Sequence, residues 1–181
     1  MEMITEIPKG LSNKYELIKE KEGKGKWKLD RVLAGSLFYP EEYGFIPKTL
    51  DYDGDPLDVI CLNLKKTFPG CYIPIRIIGI LEMIDKGEKD DKIIAVNDVE
   101  PRLSHINDIK DVNENKLNEI KNFFLRYKEL EKKKVIIGSF KDKKEAEKVL
   151  KNCQIMYEKN LSLIKKDIEK NKLVKLLKKK N

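Results

Sequence analysis

Two periods of apolar and polar positions run through the chain, and the change from one to the other outlines its elements. Residues 14–20, KYELIKE, alternate charged and apolar side chains as a half-buried strand does, which puts Lys14 and Glu16 on one face. Lys21 to Gly25 reads as a turn, and Lys26 to Leu33 as a second strand that carries Asp30 and Arg31, with Trp27 in a packing position. Leu57, Val59, Ile60 and Leu62 read as a buried strand, and Cys71 to Met83 as a long β-branched one in which Pro74 and Gly79 mark edge or bend positions. Asp85, Glu88, Asp90 and Asp91 then fill a hairpin loop before the next strand, and residues 99–111 read as loop and turn. The period changes at Lys116 to Leu130, where Leu117, Ile120, Phe124 and Tyr127 recur every three to four residues along an amphipathic helix. Lys134 to Phe140 is a final strand, and Asp142 with Glu145 forms a capping box for a helix that buries Ala146, Val149, Leu150, Cys153 and Tyr157. Leu161, Ile164 and Ile168, then Leu173, Leu176 and Leu177 after a slip at Asn171, mark a further amphipathic helix.

Length and charge narrow the picture. A chain of 181 residues fits one domain and buries about 70% of its unfolded surface. No apolar run suggests a membrane span, and the opening MEMITEIPKG lacks the basic-then-apolar order of a signal peptide. Cys61, Cys71 and Cys153 are too scattered for a disulfide framework, so a reducing cytoplasm is the expected compartment. The net charge of +7 lies in the tail: residues 151–181 hold ten lysines against three acids, whereas the first 150 residues balance 28 basic groups with 28 acidic ones. A nucleic-acid-binding barrel with a basic tail is therefore a rival reading that only the tail supports, because the neutral body carries carboxylates where such a binder needs lysines and stacking aromatics.

Those carboxylates are the chemistry of the chain. DYDGDPLD sets Asp51, Asp53, Asp55 and Asp58 within eight residues. Two carboxylates about 4 Å apart repel by roughly 4 kcal/mol at an effective dielectric near 20, so several converging on one point call for cations. Hard oxygen ligands suit Mg2+, Mn2+ or Ca2+ rather than zinc. By composition alone an Asp- and Gly-rich loop is equally a solvated turn. An EF-hand is excluded, since its sixth and twelfth positions counted from Asp51 need Gly and Glu and hold Pro56 and Leu62. Asp58 stands inside an apolar strand and needs a partner. His105 is the only histidine, and no zinc site can be built from it.

DYDGDPLDV resembles the signature of the family I soluble inorganic pyrophosphatases, and further blocks in the same order extend the likeness over about residues 4–160: EIP with KYE, the strand bearing Arg31, YPEEYGFIPKT, the spacing D-x4-D-x-K, and FFLRYKELEKKK. YPEEYGFIPKT, with Tyr39 at its start, departs from the family string at Glu42, where Asn or Asp is expected. The resemblance implies hydrolysis of pyrophosphate to two phosphates with several Mg2+ ions. It assigns Asp53, Asp58, Asp85 and Asp90 to the metals, with Asp91 as a competing neighbour of Asp90, and Asp55 to deprotonating the attacking water. Lys14, Arg31, Tyr43, Tyr127 and Lys128 would grip the phosphates, with Glu6, Glu16, Tyr39, Lys92 and Lys134 in support. The implied fold is α+β, a small closed mainly antiparallel β-barrel (OB-like) with flanking helices. The implied assembly is a homo-oligomer, with a hexamer favoured. The set of matched residues is intact, which argues against a catalytically dead homologue. One domain, residues 1–160, is expected to carry the chemistry, followed by a basic helical extension, 161–181, packed against the body or a neighbouring subunit.

Overall fold

A computed structural model of the chain describes residues 1–19, 25–63, 65–165 and 170–179, so all but Gly25 of the expected turn at 21–25, and the stripe position Ile168, lie outside the described residues. In chain order the strands are β1 (Glu2–Ile7), β2 (Asn13–Lys19), β3 (Gly25–Val32), β4 (Glu42–Phe45), β5 (Asp58–Leu62), β6 (Tyr72–Asp85), β7 (Glu88–Lys89), β8 (Lys92–Asn97) and β9 (Val135–Lys141). The helices are α1 (Glu114–Arg126), α2 (Lys143–Lys165) and α3 (Lys170–Lys179). The fold is therefore mixed α+β and strand-rich. No helix among the described residues is long and apolar enough to cross a membrane.

The main sheet runs β1-β4-β5-β8-β6-β7, with β9 also on β6, and β1 pairs a second time, with β6. Every pairing is antiparallel except β5 with β8. β2 and β3 form a separate hairpin, bulged between Lys14 and Tyr15, with Lys14 opposite Arg31. β1 escapes the hydrophobic pattern because Met3, Ile4, Thr5, Glu6 and Ile7 are all buried, so the strand is covered on both faces and shows no alternation. β4 is a strand because Gly44 lets it approach β1: a Cβ there would lie 1.9 Å from the Ile4 carbonyl oxygen.

Two apolar clusters fill the two sides of the sheet. Ile78, Leu81 and Ile94 pack with Tyr39, Tyr43, Phe123 and Phe124 under α1, whereas Ile77, Ile80, Ile93 and Val59 pack with Ala146, Leu150 and Cys153 of α2. Each such aliphatic side chain contributes about 1.5–3 kcal/mol on burial. α1 ends at Arg126, four residues earlier than the pattern suggests, with Tyr127 as its C-cap; one 3-10 turn follows over Glu129–Glu131. That early stop turns Lys128 inward, to 7% exposure. α2 starts where expected, the Glu145 amide donating to the Asp142 carboxylate at 3.0 Å.

Candidate active site

Backbone geometry builds the aspartate loop before any side chain is considered. The Asp51 amide donates to the Asp55 carbonyl at 2.7 Å, Gly54 to the Asp51 carbonyl at 3.0 Å, and the Asp55 amide to the Asp53 carboxylate at 2.9 Å. Gly54 has φ of 85°, the left-handed region that glycine reaches without strain, which is why the loop can turn there. Thr49 ties off its base: the hydroxyl donates to the Ile46 carbonyl at 2.5 Å and accepts from the Leu57 amide at 2.8 Å.

The chain then enters β5 with Asp58, and the register brings the partners. β4 lies antiparallel, Tyr43 opposite Ile60, and the Tyr43 hydroxyl donates to Asp58 Oδ2 at 2.6 Å. β8 lies parallel, Val59 opposite Ile93, so Lys92 falls beside Asp58 and its ammonium bonds that carboxylate and, at 2.5 Å, Asp90. Asp91 faces elsewhere: it accepts from the Met83 amide at 3.1 Å and pairs with Lys89 at 2.9 Å. Between the two neighbours, Asp90 is the one that joins Asp58. Asp85 closes β6 opposite Val135 and Glu88, and Lys128 reaches its Oδ2 at 2.5 Å. Asp85 Oδ1 is buried with no hydrogen-bond partner among the described residues.

Cations and phenols surround these carboxylates. Lys14 bridges Glu6 at 3.3 Å and Glu16 at 3.6 Å; Glu6 is buried, while Glu16 is 46% exposed at the hairpin edge. Arg31 is half exposed and lies 3.6 Å from Asp30. Tyr39 lies 5.0 Å from Tyr43 and 4.5 Å from Phe123, and Tyr127 lies 5.3 Å from Phe124, ring centre to ring centre, so α1 seats the aromatic wall. The Lys128 ammonium sits 4.8 Å from the centre of the Tyr127 ring. Lys134 is exposed and lines a shallow cavity of about 290 Å³ with Ile84, Lys86 and Ile136, and no contact to the carboxylates is described for it.

Burial and charge act on these groups in opposite directions. Burial pushes Glu6 up to about 7 against the pull of Lys14, with Asp58 adding to the rise. Asp51 and Asp90 are likewise pushed up to about 6, mainly by burial. Burial would raise Asp58 too, but Lys92, Tyr43 and Lys14 outweigh it and hold that carboxyl below the usual range. Burial alone would lower Lys92; Asp58 and Asp90 reverse this and keep it firmly protonated. For Lys128 burial wins over Asp85, and its ammonium titrates below the ordinary lysine value. Burial, then Asp58, raises Tyr43 well above 10, so its hydroxyl keeps its proton at neutral pH.

Among the described residues no three acidic, histidine or cysteine side chains already meet at one point. Lys92 and Lys128 stand between or against the carboxylates and supply the positive charge. The region thus offers a surplus of hard oxygen donors to cations, and ammonium, guanidinium and phenol donors to a polyanion. Asp51, given no role of its own by the sequence, shares the loop and the upward shift; nothing in its spacing separates it from its neighbours.

Comparison with known proteins bears on this arrangement. The inorganic pyrophosphatase family description matches residues 3–158. The chain is 47% identical over 157 residues to an inorganic pyrophosphatase of Halalkalibacterium halodurans, covering 87% of this chain and 94% of that one. It is 46% identical over 154 residues to a soluble inorganic pyrophosphatase of Oryza sativa, covering 85% and 71%. Among solved structures, the inorganic pyrophosphatase of Thermus thermophilus superposes with a TM-score of 0.81 at 42% identity, covering 87% of this chain and 91% of that one.

Proposed function

Since the chain belongs to the inorganic pyrophosphatase family, we propose that it hydrolyses pyrophosphate to two phosphates at the aspartate loop, using Mg2+ held by Asp53, Asp58, Asp85 and Asp90. The observation that carries this reading is the convergence of Asp58 and Asp90 on buried Lys92, beside a loop that adds Asp51, Asp53 and Asp55. The orphaned Asp85 Oδ1 is a donor with spare capacity, and an all-oxygen set of this kind fits a hard divalent cation. Such a cation, when bound, neutralises phosphate oxygens and lowers the pKa of a coordinated water from 15.7 toward about 7.

The chain's own groups do the positioning and the proton transfer. Asp55 orients the attacking water and takes its proton on a carboxylate oxygen. Lys14, Arg31, Tyr43, Tyr127 and Lys128 hold the two phosphates. Arg31 suits this because a planar guanidinium donates two parallel hydrogen bonds to phosphate oxygens. Tyr43 donates from a hydroxyl that burial keeps protonated, and Lys128 and Lys14 stabilise the departing phosphate by charge. Lys92 keeps Asp58 and Asp90 ionised and aimed. Glu6, Glu16, Tyr39 and Lys134 support this set.

The return of β1 onto β6 supports reading β1, β4, β5, β8 and β6 as a small closed OB-like barrel. The family resemblance favours a homo-oligomer, a hexamer. Cys61, Cys71 and Cys153 are free thiols, in keeping with a cytoplasmic protein.

The test is phosphate release from pyrophosphate while Mg2+ is titrated from zero, with EDTA as the control. Activity that needs Mg2+ and disappears with EDTA is the expected result. A folded protein inactive with every divalent metal would overturn the reading.

A further inference from the structure

Beyond residue 158 the chain adds α3, and its apolar face has a specific target. Leu173 and Leu177, one turn apart and 6% and 3% exposed, pack on Leu50, itself 3% exposed. Met156, Tyr157, Leu163 and Ile164 of α2 complete this third cluster. Leu50 is also held by α2, donating its amide to the Cys153 carbonyl at 3.0 Å. It directly precedes Asp51, whose amide and carbonyl close the turn with Asp55 and Gly54. On its chain-proximal side the loop thus leans on α2 and α3, elements remote in sequence.

We propose that α3 is a positioning element for the aspartate loop: Leu173 and Leu177, by covering Leu50, fix the point from which the loop Asp51–Asp55 departs. The contact described between the helix and the loop is the one on Leu50, and through it the helix acts. Its consequence for the reaction, a lower Mg2+ requirement, rests on the proposed hydrolysis. Its consequence for the loop does not.

Two variants test it in the otherwise full chain and in a shortened one: Leu173→Ser with Leu177→Ser, and deletion of residues 166–181. In the metal-free proteins, hydrogen exchange at the Leu50, Asp51 and Gly54 amides should speed up by about tenfold or more, while the Asn63 and Thr67 amides, which follow β5 and bond Glu41 and Glu42, keep their wild-type rates. The Mg2+ concentration for half-maximal pyrophosphate hydrolysis should rise several-fold, with KM for pyrophosphate at saturating Mg2+ within about twofold of wild type. Leu173→Met with Leu177→Met should restore both. Unchanged loop exchange in both variants, or faster exchange spread equally to Asn63 and Thr67, would overturn the positioning role. A selective loop effect with an unchanged Mg2+ requirement would overturn its part in the reaction. Were the wild-type protein inactive on pyrophosphate, the exchange rates would still decide whether α3 holds the loop.

Discussion

The chain buries acidic residues in two places, and it treats them differently. At the start of β4, Glu41 and Glu42 are 2% and 0% exposed, yet each is fully engaged. Glu41 accepts from Lys9 at 3.0 Å, from Lys116 at 2.9 Å and from the Asn63 amide at 3.0 Å. Glu42 accepts from the Lys9 and Thr67 amides at 3.2 and 2.8 Å and from the Thr67 hydroxyl at 2.7 Å. Around Asp58 the balance tips the other way: Glu6, Asp51 and Asp90 are raised toward neutrality, and Asp85 keeps a buried oxygen idle. A saturated carboxylate ties chain segments together and has nothing left to give. An unsaturated cluster stores unfavourable charge that a cation can relieve. The contrast separates structural acids from a site without reference to motif, and it accounts for Glu42 in a string where Asn or Asp is expected: the longer side chain reaches Thr67.

The widest separation of the two regions should come from Asp55→Asn, which is expected to lower turnover by about 10²-fold or more with little change in thermal stability. Near-wild-type phosphate release in that variant would remove Asp55 as the base. Lys92→Met comes next: without its ammonium, the metal-free protein should lose about 3 kcal/mol in denaturant titration, because Asp58 and Asp90, both half-buried, are left without their shared cation. Added Mg2+ should then raise Tm more in the variant than in wild type, and an equal rise would mean that the cation does not replace the lost charge. Glu41→Gln should cost about 2 kcal/mol by leaving Lys9 and Lys116 poorly paired, while turnover at saturating Mg2+ stays within about twofold of wild type. A large fall in turnover there would erase the distinction between the two clusters.

The smallest effect concerns pH. The folded protein holds the Glu6 proton more tightly than the unfolded chain, so that stability is complete below pH 4.5 and is lost as pH rises through about 7. Gln cannot titrate. The Tm of metal-free Glu6→Gln relative to wild type should therefore climb by about a few degrees over that interval, as followed by calorimetry at several pH values. A flat difference would show that burial of Glu6 carries no protonation cost.

Much of the site was legible because its chemistry is written in short blocks. DYDGDPLD, KYE and the Tyr127-Lys128 pair each declare donors or acceptors within a few residues, and the 3.6-residue stripe of α1 is local too. β1 and β4 were not marked as strands, since burial on both faces erases alternation in β1 and a glycine contact with another strand makes β4 possible. The saturated state of Glu41 and Glu42 was equally hidden, because Lys9, Asn63, Thr67 and Lys116 come from four separate segments.

The sequence by itself determined which groups could do chemistry and the local turns and helices that carry them, since spacing, capping and backbone preference act over a few residues. Only the tertiary structure decided that Asp90 and not Asp91 shares the Lys92 ammonium with Asp58, and that α3 covers Leu50. Those outcomes depend on strand register and on contacts between segments far apart in the chain. A shift of one residue in β8 would turn every side chain to the other face, and no local pattern records that choice.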